Sequence, residues 1–524
     1  MPLANSLAPW RRPPGMRHHY SRRQEDTAMK NQICLLLLAM SVSAQALAVP
    51  LPPDARTDAV DKIFASFTKP DSPGCAVGIY QNGQVSYKHA YGMADLERDV
   101  PLTPDSVFYV GSVAKQFTAA SVVLLAEEGK LKFSDSVRKY VPELPAYFDQ
   151  VTIDHLIHHT SGVRDVLELV PLIHDGLGQL HISDLEAEMR DGLGDFHISD
   201  EMFLQLMARQ KALNFQPGER MAYSNSGYIM LSIVVKRASG KSLREFAKEQ
   251  IFDPLGMKST QYLDDHAEIV KHRAIGYYPR RSGGFFIDAA TLDVVGDGGL
   301  FSTVEDLLRW NHNFDTGQVG GPEFLKTMLT IGKLNDGRTA GYASGLFLER
   351  YRSLNTVGHG GSLHAYQTDF LRFPDEQFAV VCLCNTQSNP AGLTRQIAQL
   401  YLGDKMKDNP PLTSRSSNAR PTPTPTPDLK RADLNDYAGD YYSDELQVTY
   451  RFIVENDQLK LYGRKSNDPV AYPRGSDRFF YKRGMVLEFT RGAQKQITGF
   501  TLFMVGAEDV RPGQKGIDFT RVQH

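Results

Sequence analysis

The polar and apolar positions change period along the chain. Gly74-Cys75-Ala76-Val77-Gly78-Ile79 and Val85-Ser86-Tyr87-Lys88-His89 flank Asn82-Gly83, the dipeptide that a tight β-hairpin favours. From Ser112 to about Leu325 the pattern turns helical. The clearest stretch is Phe117-Thr118-Ala119-Ala120-Ser121-Val122-Val123-Leu124-Leu125, apolar nearly all round and closed by Glu127-Glu128-Gly129. Such a helix is buried, and its glycine is a stop signal. A Ser302–Glu305 capping box predicts another helix start ahead of Leu307-Leu308-Arg309-Trp310. Strands are predicted at Tyr342–Glu349, Ala365–Phe373 and Gln377–Cys384, the last two joined through Pro374-Asp375-Glu376, and a helix over about Ala391–Leu402 closes the unit. Strands at both ends with helices between predict an α+β fold. One antiparallel sheet, completed by both ends of the unit, is flanked by helices and joined by an all-helical subdomain.

The pattern past this unit is different. Residues 408–431 form a Pro/Thr-rich linker with Pro421-Thr422-Pro423-Thr424-Pro425-Thr426-Pro427, where alternating prolines favour polyproline II at about 3.1 Å per residue. Residues 432–524 alternate in short Tyr- and Phe-rich runs such as Val448-Thr449-Tyr450-Arg451-Phe452 and Phe500-Thr501-Leu502-Phe503-Met504. That spacing predicts a small C-terminal antiparallel β-barrel of lipocalin-like type. At the other end, Met29-Lys30, an apolar run from Ile33 to Met40 and Ala46-Leu47-Ala48 have the layout of a secretory signal over residues 29–48. Cleavage near Ala48 makes the mature protein periplasmic or secreted, with no transmembrane anchor left. Residues 1–28 read as a spurious extension, and residues 49–407 as the domain that holds the candidate chemistry. Asp175-Gly176-Leu177-Gly178 with His181-Ile182-Ser183-Asp184 recurs at Asp191-Gly192-Leu193-Gly194 with His197-Ile198-Ser199-Asp200, a tandem duplication read as a surface insertion.

With 524 residues and 41% hydrophobic content, the chain is long enough for more than one core. Its formal charge of −3 is spread without large blocks, which excludes a nucleic-acid binder. Three cysteines follow the signal. Cys382 and Cys384 are assigned to opposite faces of one strand and, with the odd count, are expected to be buried thiols rather than disulfide partners.

Candidate chemistry begins at Ser112-Val113-Ala114-Lys115, at the head of the buried helix. Positions i and i+3 share a helix face, so the lysine amine can reach the serine hydroxyl, and a desolvated lysine can take its proton. Tyr223-Ser224-Asn225 and then His359-Gly360-Gly361 follow in order. Similar fragments lack this context. Pro70 follows Ser66–Lys69, Ser136–Lys139 has no apolar run behind it, Tyr80–Asn82 enters a hairpin turn, and His174–Gly176 lies in the helical region. His155, His158 and His159 carry no zinc-protease pattern, because residue 156 is Leu. No metal and no cofactor is expected. Tyr277-Tyr278 and Phe285-Phe286 are candidate pocket-lining aromatics.

The three motifs, with Phe108-Tyr109-Val110-Gly111, His155-Leu156-Ile157-His158-His159-Thr160-Ser161-Gly162 and Gly298-Gly299-Leu300-Phe301-Ser302-Thr303, make residues 55 to 405 resemble the serine penicillin-binding protein and class C β-lactamase family. D-Ala-D-Ala carboxypeptidases, D-aminopeptidases and esterases belong to the same family. The resemblance implies a β-lactamase/transpeptidase-like fold and a serine hydrolase that forms an acyl-enzyme on Ser112. Lys115 and Tyr223 are then catalytic, and Asn225, His359, Gly360, Gly361 and Ser362 bind substrate or oxyanion. It implies peptide, D-amino-acid amide or ester substrates, small or peptidoglycan-derived. Histidine at 359, where the dedicated β-lactamases carry lysine, and Gly360 in place of the common threonine both weaken the grip on an antibiotic carboxylate. Peptidase, esterase and lactamase activities all remain open within the family. The alternative is a non-catalytic cell-wall or ligand-binding module that retains the fold.

Overall fold

The computed structural model describes residues 53–175, 198–288, 292–407, 431–462, 470–481, 485–504, 510 and 513–523. The predicted extension, signal and linker, and most of the duplication, lie outside the described residues. Among those described, no helix is long and apolar enough to cross a membrane.

Helix α1 (Pro53–Ile63) leads into β1 (Cys75–Gln81) and β2 (Gln84–Tyr91). Asn82 and Gly83 take φ of 51° and 84°, the left-handed pair that the hairpin requires. A 3₁₀ turn, Gly111–Ala114, runs straight into α2 (Lys115–Glu127), and α3 (Val166–Asp175), α4 (Asn225–Ser239) and α5 (Val304–Thr316) follow. The chain then returns as β3 (Phe347–Tyr351), β4 (Leu354–Leu363), β5 (Tyr366–Phe373), β6 (Phe378–Cys384) and α6 (Pro390–Leu402). These strands form one six-stranded sheet in the order β3-β4-β5-β6-β1-β2, all antiparallel, so both ends of the unit complete it as predicted.

Side-chain alternation divides the sheet's burial between two layers. Cys75, Val77, Ile79, Val380 and Cys382 pack with Val60, Ile397 and Leu402, on the side of α1 and α6. Ala76, Tyr80, Ala379, Val381 and Leu383 pack on the opposite side with the larger core, which takes in α2, α4 and α5. α2 is buried nearly all round, including Lys115 and Gln116. The Trp310 indole of α5 donates to Gln116 Oε1 at 2.9 Å and locks the two helices together.

Two expectations are corrected. The helix at 304 is capped one residue later than predicted, the Thr303 side chain accepting from Asp306 N, because Ser302 ends a strand and its hydroxyl is bound to Thr260. The cysteines are not all thiols. Cys75 and Cys384 are register partners on β1 and β6 and form a disulfide, leaving Cys382 free and buried. Residues two apart on a strand share a face. Accordingly the Cys382 and Cys384 sulfurs lie 3.8 Å apart, and the assignment to opposite faces fails.

Strands β7 (Gly439–Ser443), β8 (Val448–Glu455), β9 (Gln458–Tyr462), β10 (Val470–Gly475), β11 (Arg478–Tyr481), β12 (Met485–Arg491), β13 (Ile497–Met504) and β14 (Ile517–Arg521) close into an antiparallel barrel. Tyr441, Tyr450, Phe452, Phe489, Phe500 and Phe519 are buried and packed ring against ring, with Phe500 and Phe519 stacked at 4.4 Å. Aromatic side chains fill this small barrel's interior.

Candidate active site

Ser112 stands on the 3₁₀ turn at the head of α2, where first-turn N–H groups have no intrahelical partner. Lys115, fully buried one turn on, donates from Nζ to Ser112 Oγ at 3.0 Å, Asn225 Oδ1 at 2.9 Å and the Asp297 carbonyl at 2.8 Å. The amine also lies 4.8 Å from the Tyr223 ring centre. Residues 112, 115, 223 and 225 are thus brought together from positions more than a hundred residues apart in the chain.

Burial lowers the Lys115 amine to about 8, against the opposing pull of the Asp297 and Asp165 carboxylates. It is therefore a base within reach of neutral pH. Tyr223 goes the other way. Desolvation within the cleft raises its phenol above the ordinary tyrosine range although the residue is 37% exposed, opposed by its hydrogen bond to Ser112 and reinforced by Asp297 and Asp165. In this environment Tyr223 stays a neutral hydroxyl, and the Lys115 amine is the base available near neutral pH.

Two residues of this cluster, Asp165 and Asp297, escaped the sequence reading, and a third, His159, was named there only within its motif and as a metal candidate. Asp165 accepts from Asn225 N at 2.7 Å and Asn225 Nδ2 at 3.0 Å, which fixes the amide so that Oδ1 faces Lys115. Its own carboxyl is raised by burial. Val166 N in turn donates to Ser226 Oγ at 2.8 Å, so the starts of α3 and α4 cap each other. Asp297 gives Lys115 its carbonyl, and burial raises its side chain to about 6. His159, at φ 56°, accepts from Ser224 N at 3.2 Å and stacks on Tyr223 with ring centres 4.2 Å apart. It thereby sets the tyrosine's direction. His155 instead closes a capping box with Thr152, and His158 bonds Asp154.

The β4 strand forms the opposite wall. A Cβ on Gly111, itself at φ 54°, would come within 2.7 Å of Ser362 N, and one on Gly361 within 2.1 Å of Val110 O. The Ser112 turn and the Ser362 segment of β4 therefore meet only because neither glycine has a side chain. The Ser362 hydroxyl accepts from Gln367 Nε2 at 2.8 Å. Gly360 sits on β4 opposite Asp369, on the sheet face away from this wall's histidine. His359 is buried behind Tyr223, among Tyr342 and Phe347, with Nδ1 bonded to the Gly360 carbonyl. Burial, with Lys115 nearby, pulls it down to about 3, so it is uncharged at neutral pH. Tyr277 is buried with its hydroxyl accepting from Leu96 N, while Tyr278 and Phe286 pair on the surface of a separate short hairpin.

A family model described as Beta-lactamase matches residues 60–403. Penicillin-binding protein 4* of Bacillus subtilis is 27% identical over 448 residues, spanning 82% of this chain and 92% of that protein. D-aminopeptidase of Brucella anthropi is 27% identical over 336 residues, spanning 63% of this chain and 59% of that protein. Among solved structures, the octameric penicillin-binding protein homologue from Pyrococcus abyssi superposes with a TM-score of 0.56 at 21% identity, covering 90% of this chain and 100% of that one. D-amino acid amidase from Ochrobactrum anthropi gives 0.53 at 21% identity, over 67% and 98%.

Proposed function

Because the chain belongs to the β-lactamase family, a family of serine hydrolases, we propose that it forms an acyl-enzyme on Ser112 from peptide, D-amino-acid amide or ester substrates. The observation that carries this reading is the Lys115 amine. It is desolvated, lowered to about 8 and 3.0 Å from the Ser112 oxygen. In its neutral form Lys115 takes the hydroxyl proton as Ser112 Oγ bonds to the substrate carbonyl carbon. The negative charge that develops on the carbonyl oxygen is met by the Ser112 and Ser362 amides. Collapse of the tetrahedral adduct breaks the bond to the leaving amine or alcohol, which takes the proton from Lys115 by way of the Tyr223 hydroxyl. Water then attacks the acyl carbon, returning a proton to Ser112 and releasing the acid.

The cleft's charge supports a substrate without a carboxylate beside the acyl carbon. His359 is neutral and buried, and Asp165 and Asp297 are the acidic groups nearest the amine. The match to a D-aminopeptidase supports amides and peptides ahead of β-lactams. The Cys75–Cys384 bridge supports the periplasmic or secreted location, since disulfides persist in oxidising compartments. A hydrolysis panel of D-alanine p-nitroanilide, p-nitrophenyl butyrate and nitrocefin tests the substrate class. Turnover of the anilide or the butyrate that disappears in Ser112→Ala is expected; turnover of nitrocefin alone contradicts the assignment.

A further inference from the structure

The barrel reaches the active site through two consecutive residues. Arg164, 2% exposed, extends its guanidinium away from the cleft into the seam with the barrel. There it pairs with the Glu445 carboxylate, on the turn between β7 and β8, and donates from Nη2 to the Gly516 carbonyl at 2.6 Å, just before β14. It also donates to Gln210 Oε1 at 2.8 Å. The next residue, Asp165, is turned the opposite way. It takes the Asn225 backbone and side-chain amides at 2.7 and 3.0 Å and Leu167 N at 2.8 Å, and Asn225 hands the Lys115 amine its Oδ1. The same stretch is tied to the barrel once more by Tyr450 Oη, which donates to the Leu172 carbonyl at 2.9 Å.

Glu445 is 4% exposed, so the ion pair with Arg164 is removed from water at both ends. A pair of that kind tolerates little displacement, because an unpartnered buried charge is heavily penalised. The forked guanidinium binds two barrel elements at once, which fixes direction as well as distance. By contrast Lys211 and Asp444, an ion pair on the same seam, are 58% and 72% exposed and free to move.

We infer that the barrel is a working part of the active site: Glu445 and Arg164 are positioning residues that set Asp165, and through it Asn225 and the Lys115 amine. This rests on the reading of Ser112 and Lys115 as the acylating pair. The barrel is then no detachable binding module, and its filled interior leaves it to act through its rim.

The test compares full-length wild type, Glu445→Gln and Asp444→Ala in reaction with a fluorophosphonate probe, together with hydrogen exchange across residues 163–170 and 222–228. Glu445→Gln is expected to slow acylation of Ser112 on the order of 10²-fold with little change in probe affinity, since small misplacement of reacting groups has that effect. Its acylation pH midpoint moves upward as water reaches the amine, and the Leu167 and Asn225 amides exchange faster. Asp444→Ala behaves as wild type. Wild-type rate and pH midpoint in Glu445→Gln overturn the inference, as does an equal loss in Asp444→Ala. If wild type takes no adduct, the acyl-transfer reading fails and the exchange data alone decide: faster exchange of those amides in Glu445→Gln upholds the coupling, and unchanged exchange ends it. Should Glu445→Gln fail to fold, Arg164→Lys carries the same expectations, keeping the cation while losing the fork.

Discussion

Replacing Lys115 by methionine keeps an unbranched side chain of similar length and removes the titrating amine. In the folded protein that amine titrates near 8, and at lysine's ordinary 10.5 once unfolded. Between those values the unfolded chain holds a proton that the folded one has released, so stability gains with rising pH. The sign follows from desolvation. The buried ammonium opposes folding below pH 8, and that penalty is progressively lifted as the pH rises from 8 toward 10.5. From pH 7 to pH 9.5 the two titrations give about 2 kcal/mol of added stability from this one group. Trp310, packed against Gln116 on the neighbouring helix, is a built-in fluorescent reporter of that core. Urea denaturation followed by its emission at the two pH values is the assay. Wild type is expected to gain about 2 kcal/mol relative to Lys115→Met over the interval. Parallel pH dependence in the two proteins would refute a desolvated, base-poised lysine.

Other expectations follow from single contacts. Acylation of Ser112 should rise with pH through about 8 as Lys115 loses its proton, read from stopped-flow probe kinetics. Gly111→Ala should slow acylation at least about tenfold by pushing the Ser362 backbone away from the Ser112 turn, and should lower the urea midpoint read from Trp310, since alanine is strained at φ 54° and meets backbone there. Asp165→Ala leaves the Asn225 and Leu167 donors unmet. At about 1–3 kcal/mol for each stranded buried group, it should lower the urea midpoint and the acylation rate together. Cys75→Ser removes the β1–β6 bridge and should cost about 2–4 kcal/mol, measured against the reduced wild type as control.

The residues legible from sequence are those whose chemistry and local period coincide. Ser112 and Lys115 share a helix face under an all-apolar run, so their contact follows from helix geometry. The sheet completed from both ends follows from strand alternation on either side of a helical stretch. Asp165 and Asp297, and the role of His159 within its motif, were not legible because they depend on loop conformation. His159 reaches Ser224 N from a left-handed turn, and Asp297 contributes a carbonyl, which every residue has. Cys75–Cys384 depended on register between strands separated by 309 residues, which periodicity alone does not specify. The Arg164–Glu445 contact depended on how the barrel seats, and nothing local in either segment encodes it.

Peptide mapping by mass spectrometry, after incubation with a fluorescent penicillin and with a fluorophosphonate, decides whether this geometry is a nucleophilic centre. A covalent adduct on the peptide that holds Ser112, absent in Ser112→Ala, is the expected result. An adduct on another residue, or none with either probe, contradicts it.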